Sequence, residues 1–303
     1  MRRNLLNLVL AAGVATLGAI AWFGQNKPEQ KAMLTALTPA EVQKIAIEHA
    51  GEPTIQLERR GPTWHLVQPV DARADGYTAD SIAALAATPV ESTVESAAKR
   101  AELGLEPPAF WVTLNDERIG FGGEEPLRHQ RYVLHGDAVA LIEPPAGAAL
   151  DDDWTDLVAR ELLPPGAPIR RIVLPELVAE KNAEGKWTAP GHDDIPPDRL
   201  QTLATAWKAA RANWTSAADP GDADKPVARI ELEQGPIVEL HIVSQSPQLV
   251  LADTRLGVRY TLGGESARDL LNLPVPPASP ASDAAAPPGG PPAPATPPAS
   301  PKR

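Results

Sequence analysis

Residues 60–69 read RGPTWHLVQP, and residues 183–192 read AEGKWTAPGH. Each stretch has a charged turn containing glycine, then a tryptophan, then a short run to proline. Trp64 and Trp187 therefore hold matching places about 120 residues apart, a period too long for a solenoid and suited to tandem domains. Asp80 and Asp198, early in two helix-like stretches, keep a similar separation. Between the copies Pro164-Pro165-Gly166-Ala167-Pro168 breaks the chain. A chain of 303 residues accommodates two such units.

Alternation and turn residues predict strands at residues 42–48, 54–57 and 63–67. A helix follows over residues 78–87, with Thr78 as its cap and Ile82, Leu85 and Ala86 as its buried face. After a connector at 101–108, strands are expected at 110–114, 119–121, 131–134 and 138–142. A second helix is expected over 151–163, because its acidic start suits a positive helix N-terminus. Past the proline break the order resumes with strands at 169–174, 177–180 and 186–189. The helix at 197–212 carries a Leu200, Leu203, Ala204, Trp207 stripe. A polar connector at 219–225 precedes strands at 227–232, 237–243, 248–251 and 257–261 and a short helix at 266–271. The loops are too short for many crossovers, so each unit reads as α+β with mostly antiparallel pairing.

Arg2 and Arg3 precede an apolar run over residues 5–23. As a helix it would span about 28 Å, near the hydrocarbon thickness of a bilayer. Cationic residues stay on the cytoplasmic side, which leaves residues 1–4 as a cytoplasmic stub and the bulk of the chain outside. Cleavage after Ala19-Ile20-Ala21 as a signal peptide is the alternative. Residues 24–36 read as a tether, 37–163 as the first repeat and 164–273 as the second. Residues 274–303, rich in proline and alanine, lack the apolar bulk to offset the entropy of ordering and read as a disordered tail.

The segments AELGLEPPAFWVTL (101–114) and RYVLHGDAVALI (131–142), following the Trp64-to-Pro69 strand and a helix, resemble the bacterial family of domain of unknown function 4340. Gly104-Leu105-Glu106-Pro107 and Tyr132-Val133 carry the likeness. It covers residues 37–163 well and 169–273 weakly, where Asp219-Pro220-Gly221-Asp222 replaces the Gly-Leu element. The resemblance implies a membrane-anchored protein that accompanies ABC-type transport systems. It brings no catalytic residues.

Few side chains suggest chemistry. Cysteine is absent, which excludes disulfides, thiolate metal sites and cysteine nucleophiles. A net charge of -11 argues against nucleic acid as a partner. His49, His65, His129, His135, His192 and His241 lack zinc-ligand spacing. Residues 71–82 fail the calcium-loop pattern at Arg73 and Ile82. Asp151-Asp152-Asp153 reads as a helix start, and Asp219, Asp222 and Asp224 as a solvated loop. Gly120-Phe121-Gly122-Gly123 is followed by strand-like sequence rather than a nucleotide-binding helix. Residues 263–267 fail the nucleophile-elbow pattern around Ser266. Trp64, Trp111, Trp187 and Trp207 are expected in the core, and Trp214 in an exposed connector. The Asn213-Trp214-Thr215 sequon carries little weight.

The resulting expectation is a non-enzymatic, single-pass protein of the bacterial inner membrane, its bulk periplasmic. It would have no cofactor, metal or catalytic residue, and its partner would be an ABC-type permease or auxiliary subunit. The rival readings are a periplasmic glycan- or peptide-binding module using a groove between the repeats, and an unrecognised hydrolase.

Overall fold

The computed structural model describes Thr16, residues 31–94, 99–128, 130–148 and 150–273. Apart from Thr16, the expected anchor lies outside the described residues, as do the tail and His129. The first sheet contains β1 (Lys44–His49), β2 (Ile55–Arg60), β3 (Thr63–Gln68), β4 (Ala72–Arg73), β5 (Val90–Val94), β6 (Phe110–Leu114), β7 (Glu117–Glu125), β8 (Gln130–His135) and β9 (Ala138–Ile142). Its order is β4-β3-β2-β1-β6-β7-β8-β9-β5. The second contains β10 (Ile169–Leu174), β11 (Leu177–Lys181), β12 (Trp187–Thr188), β13 (Trp214–Ala217), β14 (Val227–Leu232), β15 (Val238–Ser244), β16 (Leu249–Asp253) and β17 (Val258–Leu262). Its order is β12-β11-β10-β14-β15-β16-β17-β13. With β4 set aside, the two orders correspond strand for strand. All strand pairs among the described residues are antiparallel. With few helices beside the two sheets, the architecture is α+β-like.

Trp64 on β3 and Trp187 on β12 occupy corresponding strands, and both are buried. Each sits in register with a cation on the neighbouring strand: Arg59 opposite Trp64 and Lys181 opposite Trp187. The Arg59 guanidinium lies 4.6 Å from the Trp64 ring centroid, and the Lys181 ammonium 5.9 Å from that of Trp187. The Trp64 indole also donates to Asp80, at 2.8 Å. Trp111 departs from expectation. It points to the outer side of β6, between buried Phe110 and Val112, and is only partly covered, with Arg118 stacked at 4.3 Å. Period-two alternation puts it there, since its two neighbours already face the core.

The helices follow their apolar stripes more closely than their ends. Helix α1 (Gly76–Ala83) is capped by Asp75, whose carboxylate accepts the Thr78 N–H at 3.0 Å, so Thr78 lies inside the first turn rather than at the cap. It tightens into a 3-10 turn at Ala84–Ala87, and Ile82, Leu85 and Ala86 are fully buried. Helix α2 (Pro197–Ala209) buries Leu200, Leu203, Ala204 and Trp207 as expected. The Trp207 indole donates to the Leu270 carbonyl, tying α2 to α3 (Ser266–Leu271).

The expected helix over 151–163 does not form. Only Trp154–Leu157 makes a 3-10 turn, and the chain beyond is an irregular extended strap between the sheets. Ala159 donates to the Arg73 carbonyl (2.9 Å), and Asp75 donates to the Leu157 carbonyl (2.8 Å). Leu162 donates to the Ala210 carbonyl (3.2 Å), and Ala212 donates to the Arg160 carbonyl (2.8 Å). Residues 157 and 159 thus face one partner and 160 and 162 the other, as alternation along an extended chain requires. Pairing on both sides satisfies backbone groups that a helix would have satisfied internally. The same pairing ends α2 at Ala209, three residues early.

Three further segments differ from expectation. Strands β5 and β13 close the far side of each meander, although neither reads as a strand alone; Trp214 accordingly stands on β13 instead of a connector. Part of the expected tether is fixed: Leu34 donates to the Thr88 carbonyl and Val90 to the Ala32 carbonyl, and Leu34 is buried. The connector at 101–108 packs on β7, where a Cβ at Gly122 would lie 2.4 Å from the Leu103 carbonyl oxygen. The Gly120–Gly123 run therefore serves close backbone approach.

Emptying either buried indole site should cost roughly 3–5 kcal/mol. Trp64→Ala and Trp187→Ala are each expected to lower stability by that amount in urea titration. A loss confined to one of them would break the correspondence between the two strands.

Candidate functional site

A cleft of about 290 Å³ lies between the sheets. Its first side is the end of the β2–β3–β4 group: Arg60, His65, Asp71 and Arg73. Its back wall is the strap, through Val158, Glu161 and Leu162. Its other side comes from β15 to β17 and supplies Val238, Leu240, Asp253, Arg255, Leu256 and Tyr260. The failed helix is thus what builds the cleft, because only an extended strap brings β4 alongside the second sheet.

The charges of the cleft are unevenly partnered. Arg60 pairs with Asp71 at 3.1 Å, and Arg255 lies 3.6 Å from Asp253. Glu161 is paired with Arg211 at 3.0 Å. Arg73 has no carboxylate partner within ion-pair distance among the described residues. One of its terminal nitrogens, Nη2, donates to the carbonyls of Glu161 (2.9 Å) and Leu163 (3.2 Å). Burial works against its charge and lowers its pKa, with Glu161 and Tyr260 opposing that shift. Tyr260 is 5% exposed, and its hydroxyl, which makes no hydrogen bond within the protein, opens onto the cleft. Burial, then Asp253, pushes the phenol well above its ordinary range. His65 is lowered by burial and then by Arg60 and Arg73, against the pull of Asp71, and is held toward its neutral form.

The other candidates have structural places. His49 contacts the Leu150 carbonyl at 3.1 Å, His135 contacts Glu117 at 2.6 Å, and His241 contacts the Lys225 carbonyl at 3.2 Å. His192 is in an exposed turn. Asp71, Asp75 and Gly76 divide between an ion pair and a helix start, so the calcium-loop likeness dissolves. Asp151 pairs with Arg131. Burial, then Asp152 and Asp153, raises the Asp156 pKa. Ser266 opens α3. No group of three or more histidine or acidic side chains suited to a metal occurs among the described residues.

Sequence reasoning placed Asp222 in a solvated loop, yet it is 2% exposed. Arg259 grips it with two hydrogen bonds of 2.7 Å, and the Asp219 N–H adds a third at 3.0 Å. The Arg259 hydrogen bond is the main cause that holds the Asp222 pKa below the ordinary carboxylate range, against burial. Arg73 figures in the sequence only as a mismatch to the calcium-loop pattern, and Tyr260 carries no signal there. The available signal was an arginine between two small apolar residues, Ala72 and Ala74, in an otherwise polar turn.

A family model described as Domain of unknown function (DUF4340) matches residues 64–223. The match begins at Trp64 and runs through the strap into the second sheet. No curated protein and no solved structure matches the chain.

Asp222 should govern part of the acid stability. Its lowered pKa contributes stability that is present above the unfolded carboxylate range and is lost as pH falls through the folded value. Asp222→Asn leaves Arg259 without its main partner and should cost on the order of 3 kcal/mol at neutral pH. Urea titrations should show that penalty shrinking toward pH 3. A penalty independent of pH would contradict the assignment.

Proposed function

The chain belongs to the DUF4340 family, and from that premise we propose that it is a non-enzymatic, membrane-anchored scaffold or accessory subunit of an ABC-type transport or envelope complex. The observation that carries the reading is the strap, which makes a single two-sheet body from elements that could have hung as independent domains. A rigid body with two faces suits docking. Trp214, 44% exposed at the start of β13 just beyond the strap pairing, is the kind of anchor that docking surfaces use. We take the two sheets as tandem copies of one unit, supported by their common strand order and by the matched tryptophan–cation pairs.

The anchor rests on the residues 5–23 run with Arg2 and Arg3 before it. No helix among the described residues is long and apolar enough to cross a membrane. In this reading the N-terminus is cytoplasmic, the sheets are periplasmic and the membrane is the bacterial inner one. A second reading, a periplasmic ligand-binding module, is favoured by the cleft, where Arg73 and Tyr260 have donors to spare.

Two arms test the main reading. A reporter active only outside the cytoplasm, fused after Leu273, should be active; activity confined to the cytoplasm would overturn the topology. A photo-crosslinking residue at position 214 should capture an integral membrane protein in intact cells. A folded protein giving no such product would remove the docking role of this face.

A further inference from the structure

Of the three arginines that line the cleft between the sheets, Arg73 alone has no carboxylate within ion-pair distance among the described residues. Asp71, Asp253 and Glu161 have cationic partners in Arg60, Arg255 and Arg211. Arg73 has only carbonyl oxygens, and both accept from the same nitrogen. Its Nε and Nη1 donors make no hydrogen bond. A partly buried guanidinium without a counter-ion is costly, and an anion entering the cleft would offset that cost.

The second observation is independent of Arg73. Tyr260 reaches the cleft from β17, is almost fully buried, and has a hydroxyl with no partner. The hydroxyl is not among the buried polar atoms left without a partner, so it opens onto the cleft rather than into a closed core. Arg73, Asp253 and Arg255 act on it electrostatically, which places the phenol among the charged lining. A phenol is protonated at physiological pH, so the hydroxyl can donate. An unspent cation and an unspent donor thus line the same space, with Leu162, Val238 and Leu256 as apolar wall.

We propose that this cleft binds a monoanionic carboxylate bearing an adjacent apolar group, with Arg73 as ion-pair partner and the Tyr260 hydroxyl as a further donor. Arg73, the one lining cation without a carboxylate partner, matches a single negative charge. A dianionic phosphate would set its second charge against Asp71, Asp253 and Glu161 with no cation left for it. The planar carboxylate also suits a guanidinium fork. At about 290 Å³ the space is at the small end of ligand pockets, enough for a terminal residue or a short acyl chain. Two sources share this chemistry: the C-terminus of a peptide ending in an apolar residue, and a free carboxylic acid. The proposal rests on the second reading above, that the cleft is used.

The test is titration calorimetry on the full chain in detergent with four probes: N-acetyl-dileucine, its C-terminal amide, hexanoate and inorganic phosphate. N-acetyl-dileucine or hexanoate should bind, and the tighter of the two names the source. The amide should bind about tenfold more weakly or worse than the acid, as loss of a charge-assisted bond requires. Arg73→Gln should abolish binding but also loses the strap contacts, so Tyr260→Phe is the decisive variant. It keeps the ring and should weaken the acid several-fold while leaving the melting temperature nearly unchanged. Equal affinity for acid and amide, tighter binding of phosphate, or full affinity in Tyr260→Phe would overturn the carboxylate assignment alone. Failure of every probe to bind would overturn the use of the cleft as well.

Discussion

Hydrogen bonding on both sides of the strap is the constraint on which the rest of the molecule depends. A sheet edge exposes unpaired N–H and C=O groups, and a chain with two sheets must manage several such edges. Here the strap takes up the end of β4 on one side and the lead-in to β13 on the other. A single extended segment therefore closes one edge of each sheet and fixes their relative position. The hydrophobic core runs on through Leu157, Val158, Leu162 and Leu163 into both halves.

Side chains reinforce this seam without dominating it. Arg211, from the second half, reaches Glu161 on the strap and Asp75 of the first half at 3.4 Å. Asp75 meanwhile caps α1, so one carboxylate serves a helix start and the junction. Arg211 is about half exposed, and pairs of that kind contribute little in water. The backbone bonds and buried leucines carry most of the seam. Arg73 donates across the seam to two carbonyls and so keeps its place on the cleft wall. Seam and cleft are therefore one construction.

Much of this fold was legible in the residues. Strands β6, β9, β10 and β14 coincide with the runs read from the sequence, because each is a short apolar-rich stretch between clear turn signals. The α2 stripe and its four buried residues were equally plain. What the pattern concealed depended on distant partners. The strap carries an acidic start and apolar residues at helical spacing (Trp154, Leu157, Val158), and only pairing with Arg73–Asp75 and Ala210–Ala212 makes it extended. Strands β5 and β13 are short and polar and exist because β9 and β17 offer them an edge. The cleft was least visible, since Arg73 and Tyr260 lie 187 positions apart in sequence and become chemistry only when the strap brings their sheets together.

The most direct measurement of the central claim is amide hydrogen exchange across a urea series. If the strap joins the sheets into one cooperative body, the amides of Asp75, Ala159, Leu162 and Ala212 open only with global unfolding. They should lose protection at the same urea concentration as the central strands β1 and β10. Protection lost from these four amides while both sheets stay protected would contradict the account, as would separate midpoints for the two sheets.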